Sequence, residues 1–136
     1  MLMPKIETYR GMGKDELSRL STEESLPLLT SRARRVVKRA LSGKSAVVKK
    51  FMKKVDSVRK SGSGKTIRTH IREAVILPEW LGQTFAVYDG KSWKTVVVTV
   101  DKIGFRLGDF AHTTGRVLHS GPGVGATRGS KFIPLK

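Results

Sequence analysis

Apolar and polar positions follow a helical code in the first half of this chain and an extended code in the second. Ser61-Gly62-Ser63-Gly64 separates the two as a flexible joint. Before the joint, Val36, Val37, Ala40 and Leu41 form a narrow apolar stripe. It predicts a helix over Arg32–Leu41, with Ser31 as N-cap and Gly43 closing it. Val48, Phe51, Met52, Val55 and Val58 recur at spacings of three and four, so a longer amphipathic helix is expected from a Ser45 cap to about Lys60. Upstream, Lys14–Leu20 reads as a short helix with Leu17 and Leu20 on one side. Ser21 and Glu24 have capping-box spacing, and Pro27 interrupts the segment after them. Residues 1–13 carry no period and include Pro4, Gly11 and Gly13, which predicts a loose arm.

Beyond the joint, Lys65 to Glu73 alternates polar with apolar and β-branched residues, as an extended strand does. After the short apolar run Ala74–Leu77, Pro78 starts a single helical turn that buries Trp80 and Leu81 and ends at Gly82. Thr84–Tyr88 and Trp93–Val100 are strands. Asp89-Gly90 between them is the strongest hairpin signal in the chain, because that pair tolerates positive φ. Asp101 caps a turn ending at Gly104, and Phe105, Leu107 and Phe110 complete the core. From Thr113 onward, five glycines, Pro122, Pro134 and scattered cations leave too little apolar surface to fold alone. Fully stretched, residues 117–136 reach about 65 Å. The expected architecture is α+β: a small antiparallel sheet with short helices, a basic helical N-terminal extension and an extended C-terminal tail. The segments are an arm (1–30), the basic helical extension (31–64), an α+β core (65–112) and the tail (113–136).

Composition shifts attention to charge. Hydrophobic content is 38% of 136 residues, below the usual 45–50%, and the apolar residues concentrate in 71–110. Only that stretch is expected to build a core, with the remainder ordered by lying on something else. The formal charge is +16, at a sequence pI near 10.7. Between Arg32 and Arg72, fifteen Lys or Arg residues stand against Asp56 alone, whereas the flanking segments are nearly neutral. A field so strong and so local repels itself unless a polyanion or many counterions sit on it. Nucleic acid is therefore the first expected partner. An acidic membrane or plain solubility are the blander explanations, and a solvated Lys-rich helix face is the blandest. Arg32, Arg34, Arg35 and Arg39, then Arg68 and Arg72, weaken that last reading, because planar guanidinium forks match phosphate edges. Neither a helix-turn-helix nor an RNP pattern is present, so shape and backbone recognition is expected.

Other chemistry is poorly supplied. The chain has no cysteine, which excludes disulfide stapling and cysteine-based zinc fingers and fits a reducing compartment. No apolar run approaches a membrane span and the N-terminus lacks a signal h-region, so a cytoplasmic protein without membrane contact is expected. Gly64-Lys65-Thr66 resembles the end of a phosphate-binding loop, but Arg59 stands where that loop needs glycine, and the strand–helix order is reversed. Gly121-Pro122-Gly123-Val124-Gly125 resembles a dinucleotide loop only faintly, since Pro122 replaces helix entry and no βαβ unit surrounds it. His70, His112 and His119 are far apart, and the acids show no catalytic pairing. No enzyme, cofactor or metal is expected. Trp80 and Trp93 are assigned to core or hairpin packing. Base or ribose stacking by an exposed Trp93, beside Lys91 and Lys94, is the lesser alternative.

The second half also resembles a known family. Ile67-Arg68-Thr69-His70-Ile71-Arg72, Ile76-Leu77-Pro78-Glu79-Trp80-Leu81-Gly82, Val87-Tyr88-Asp89-Gly90-Lys91 and Gly104-Phe105-Arg106-Leu107-Gly108-Asp109-Phe110 stand in the order and spacing of small-subunit ribosomal protein S-nineteen. Gly121-Pro122-Gly123-Val124-Gly125-Ala126-Thr127, Lys131-Phe132-Ile133-Pro134-Leu135-Lys136 and Ser31-Arg32-Ala33-Arg34-Arg35 are similar to its archaeal and eukaryotic branch, called S-fifteen in eukaryotes. The resemblance spans roughly residues 30–136. It implies a structural protein of the small-subunit head that binds rRNA beside protein S-thirteen. By position it nominates Lys65, Arg68, Thr69, His70, Arg72, Lys91, Lys94, Arg106 and Arg116. The charge block adds Arg32, Arg34, Arg35, Lys38 and Arg39, and His119 is a further surface donor. The branch's tail implies a reach toward the decoding centre and tRNA, which maps onto Gly123, Gly125, Arg128, Lys131 and Lys136. A DNA-binding, chromatin-like use of the two basic helices is the alternative.

Overall fold

A computed structural model describes residues 7–119 and Gly121. The chain is α+β. Strands β1 (Thr8–Tyr9) and β2 (Met12–Gly13) are followed by four helices, α1 (Lys14–Arg19), α2 (Thr22–Ser25), α3 (Ser31–Leu41) and α4 (Ala46–Lys60). The strands β3 (Ile67–Thr69), β4 (Thr84–Tyr88) and β5 (Trp93–Val97) come after them. Single 3₁₀ turns at Leu26–Leu28, Pro78–Trp80, Val100–Lys102 and Leu107–Phe110 join these elements.

The arm differs from the loose segment expected of it. β1 and β2 pair antiparallel through a two-residue turn in which Arg10 and Gly11 take φ of +50° and +83°. The Tyr9 hydroxyl donates to the Leu28 carbonyl at 3.0 Å and pins this hairpin to the turn before α3. Ser21 and Glu24 form the expected capping box: the Ser21 N–H donates to Glu24 Oε2 at 2.9 Å, and the Glu24 N–H donates to Ser21 Oγ at 3.4 Å. The N-cap of α3 is Thr30 rather than Ser31, which is the first residue of the helix.

In the larger sheet β4 is central. β5 pairs with it antiparallel from Tyr88↔Trp93 to Thr84↔Val97, whereas β3 joins it parallel, so the sheet is mixed. Alternation within 65–73 carries no information about that direction. Only Ile67–Thr69 pairs as strand, because the chain then turns across the sheet end. There residues 72–76 exchange main-chain hydrogen bonds with residues 104–108, for instance Ile76 N–H to the Phe105 carbonyl at 2.8 Å. Gly108 is required at this crossing, since a Cβ there would lie 3.0 Å from both Cβ and the carbonyl oxygen of Arg72.

One contiguous core reaches well outside 71–110. Leu17, Leu29, Ala33, Val37, Phe51 and Val55 share it with Ile76, Trp80, Phe85, Val87, Val96 and Leu107. Phe51 of α4 meets Trp80 edge-on at 5.8 Å and Phe85 at 6.0 Å, and Trp80 meets Phe85 at 5.5 Å. The basic helices thus pack on the sheet through protein contacts. Glu79 reinforces this join by accepting from the Thr22 hydroxyl at 2.6 Å while pairing with Arg59 at 3.4 Å. Trp80 is buried and Leu81 half-buried; Phe105, expected inside, is exposed.

At the hairpin tip, Asp89 Oδ1 accepts from the main-chain N–H of Ser92 at 2.6 Å and of Lys91 at 2.8 Å, and Oδ2 accepts from the Ser92 hydroxyl at 3.0 Å. These bonds, that from the Ser92 N–H foremost, pull the Asp89 carboxyl down to about 2.

Phe51→Ala is expected to cost about 3–5 kcal/mol. Urea unfolding followed by tryptophan fluorescence should show one cooperative transition at a lower midpoint; an unchanged midpoint means that α4 is not part of the core. The depressed Asp89 carboxyl stabilises the hairpin above its ordinary titration range near 3.8, and that contribution disappears as pH falls through about 2. An NMR titration of the Asp89 side chain checks this, and a midpoint near 4 contradicts it.

Candidate nucleic-acid interface

The core dictates where the cations go. On α3, Ala33, Val37 and Ala40 face inward, so Arg32, Arg35, Lys38 and Arg39 are left on the exposed side. On α4, Val48, Phe51 and Val55 face inward and Lys50, Lys53 and Lys54 face out. A shallow groove of about 410 Å³ runs along α3, lined by Arg34, Arg35, Lys38, Arg39 and Lys44. A second cleft of about 520 Å³ brings Arg10, Arg32 and Arg106 together from the first hairpin, the start of α3 and the loop after β5, with Tyr9 and Phe105 in its walls. No sequence pattern nominates Arg10. Only the turn of an unexpected hairpin carries it to Arg32.

Three nominated side chains are engaged by the protein itself. Arg34 Nε donates to the Leu26 carbonyl at 2.9 Å, and its Nη2 donates to those of Leu29 at 3.1 Å and Pro27 at 3.3 Å. The Leu26 carbonyl also accepts from the Leu29 N–H of the 3₁₀ turn, and Arg34 adds charged donors to all three carbonyls, closing the turn before α3. Arg72 donates through Nη1 to the Tyr88 carbonyl at 2.8 Å, and through Nη2 to the carbonyls of Gly108, at 3.0 Å, and Ala111. It clamps β4 to the segment after the core. Thr69 is buried, and its hydroxyl accepts from the Ile71 N–H at 3.0 Å. The geometry gives all three a structural use.

Lys65, Arg68, His70, Lys91, Lys94, Arg116 and His119 are exposed. Lys65 lies in the turn between α4 and β3, so a helix precedes Gly64-Lys65-Thr66 and a strand succeeds it, opposite to a phosphate-binding loop. Lys91 and Lys94 flank the hairpin, where Lys94 lies 3.9 Å from Asp89. Arg68 and His70 lie toward one open sheet face, on which Trp93 is also exposed rather than in the core. Gly123, Gly125, Arg128, Lys131 and Lys136 lie outside the described residues.

Of the fifteen cations between Arg32 and Arg72, Arg59 alone has a carboxylate within 4.0 Å, at Glu79, among the described residues. The exposed Arg and Lys side chains can therefore neutralise phosphates without first breaking an ion pair. Among the described residues, no group of three His, Asp or Glu side chains is placed to hold a metal, and no helix is long and apolar enough to cross a membrane.

Comparison with known proteins points to one family. Residues 38–119 match the family Ribosomal protein S19. Small ribosomal subunit protein uS19 of Halobacterium salinarum is 44% identical over 133 residues, which cover 95% of this chain and 91% of that protein. The protein of the same description from Methanocella arvoryzae is 42% identical over 129 residues, covering 95% and 86%.

The two classes of arginine separate by experiment. Arg72→Ala should cost on the order of 2–3 kcal/mol of stability, since it strips a charged donor from three carbonyls. Arg35→Ala should change stability by less than about 0.5 kcal/mol. Equal losses in thermal unfolding contradict the assignment.

Proposed function

The chain belongs to the ribosomal protein S19 family, and from that premise we propose that it binds and braces folded rRNA in the head of the small ribosomal subunit. Members of this family are structural constituents of the ribosome rather than enzymes. The carrying observation is the block of exposed cations that, Arg59 apart, have no carboxylate partner among the described residues and are fixed in position by a core they do not disturb. Arg35, Lys38 and Arg39 form one phosphate-binding stripe along α3. Arg10, Arg32 and Arg106 form a second, and Lys65, Arg68 and Lys91 a third around the sheet and its hairpin, where Lys94 joins them while lying 3.9 Å from Asp89. Each neutralised phosphate releases condensed counterions, which is the driving term of binding.

The finer assignments rest on family resemblance. Protein S-thirteen is the proposed neighbour in the head. The tail, through Gly123, Gly125, Arg128, Lys131 and Lys136, extends toward the decoding site and tRNA, supported by its glycine-rich, cationic, core-free composition.

Binding of the full chain to a small-subunit rRNA transcript should fall about 10³–10⁵-fold between roughly 50 and 200 mM salt, as engagement of roughly 6–10 phosphates requires. An affinity that barely changes with salt overturns the proposal. Equal affinity for duplex DNA and for rRNA at matched salt favours the DNA-binding alternative.

A further inference from the structure

The open face of the β3–β4–β5 sheet carries a row of rings that phosphate neutralisation leaves without a use. Register creates it. Tyr88 on β4 lies opposite Trp93 on β5, and His70 comes one step beyond the Thr69↔Val87 pair of β3, which brings it beside Tyr88. Ring centroids are 4.9 Å apart for His70 and Tyr88, 5.2 Å for Tyr88 and Trp93, and 5.0 Å for His70 and Trp93. In the neighbouring row, Ala86 stands between Arg68 and Thr95. Its short side chain lets Arg68 reach across β4, so that the guanidinium carbon lies 5.7 Å from the Trp93 ring centroid.

These rings do little to fill the interior. Trp93 is 37% exposed, whereas Trp80, on the opposite side of the sheet against Phe51 and Phe85, is 1% exposed. Arg68 has no carboxylate within ion-pair distance among the described residues. Exposed rings beside a guanidinium that has no carboxylate partner among the described residues meet both needs of an unpaired nucleotide: a surface for its base and a cation for its phosphate. A paired base, already stacked within its helix, cannot use such a face.

We propose that this sheet face is a stacking site for an unpaired base of folded RNA, with Trp93 and His70 as the platform and Arg68 linking the stack to the adjoining phosphate. The site rests on the rRNA-binding reading but adds a contact that phosphate neutralisation alone does not require. Ala86 becomes a positioning residue, because any larger side chain there blocks Arg68 from the indole.

The test uses the full chain, a single-stranded RNA oligonucleotide, a fully paired RNA duplex of equal length and a small-subunit rRNA transcript. With Trp80 buried, quenching of the accessible tryptophan emission reports Trp93. The single strand should quench it and the duplex should not. Trp93→Ala should weaken single-strand and rRNA binding about 5- to 150-fold with an unchanged salt slope, and Trp93→Phe should restore most of the loss. If Trp93→Ala unfolds the chain, quenching of the unmodified protein decides alone. Equal quenching by duplex and single strand, or unchanged affinity in a folded Trp93→Ala variant, overturns the stacking site and leaves the phosphate reading standing. Absence of any salt-dependent rRNA binding by the unmodified protein overturns both.

Discussion

The contact of Phe51 with Trp80 and Phe85 is the join on which the rest depends. A chain of +16 formal charge works against its own compaction, and most of that charge lies on α4, which this contact fastens to the sheet, and on α3, which packs against α4. Burial of apolar and aromatic surface is insensitive to charge, so it can hold cations together that would otherwise separate. Polar locks then fix the details. Glu79 ties α2 and α4 to the Pro78–Trp80 turn, Arg34 closes the turn before α3, and Arg72 fastens β4 to the segment leaving the core.

Like residues thereby divide their labour. Arginines within the polar locks donate to main-chain carbonyls, of which those of Leu26 and Gly108 also accept a backbone N–H, and recruiting these arginines to phosphate would strip a charged donor from each. Arginines and lysines on the outward helix faces have no such duty. In the proposed function rRNA phosphates are the partner of the free cations, and the core gives those cations fixed positions before that partner arrives. Preorganised cations bind with a smaller ordering cost than a flexible basic tail.

Much of this was readable from residues. Helix spans came from the three-and-four spacing of Val48, Phe51 and Val55, and the hairpin from Asp89-Gly90. The charge block and the ordered motifs pointed to an rRNA-binding family, which the comparisons support. The features that stayed hidden depended on tertiary partners. Nothing local says that β3 runs parallel to β4, or that residues 72–76 cross residues 104–108. Arg34 and Arg35 are adjacent and chemically identical, yet helix phase turns one toward main-chain carbonyls and the other toward solvent. Phe105 fits a core pattern but falls on the outer side of the loop after β5. Arg10 needed a hairpin with no alternating flanks to announce it.

In the proposed function, protein packing rather than RNA decides which cations face the polyanion. An electron cryo-microscopy map of native small subunits containing this chain tests that claim most directly. Arg35, Lys38 and Arg39 should lie within hydrogen-bonding distance of rRNA phosphates, while Arg34 and Arg72 keep their carbonyl partners. Arg34 and Arg72 on phosphates, with the outward face of α3 turned to solvent, would contradict it.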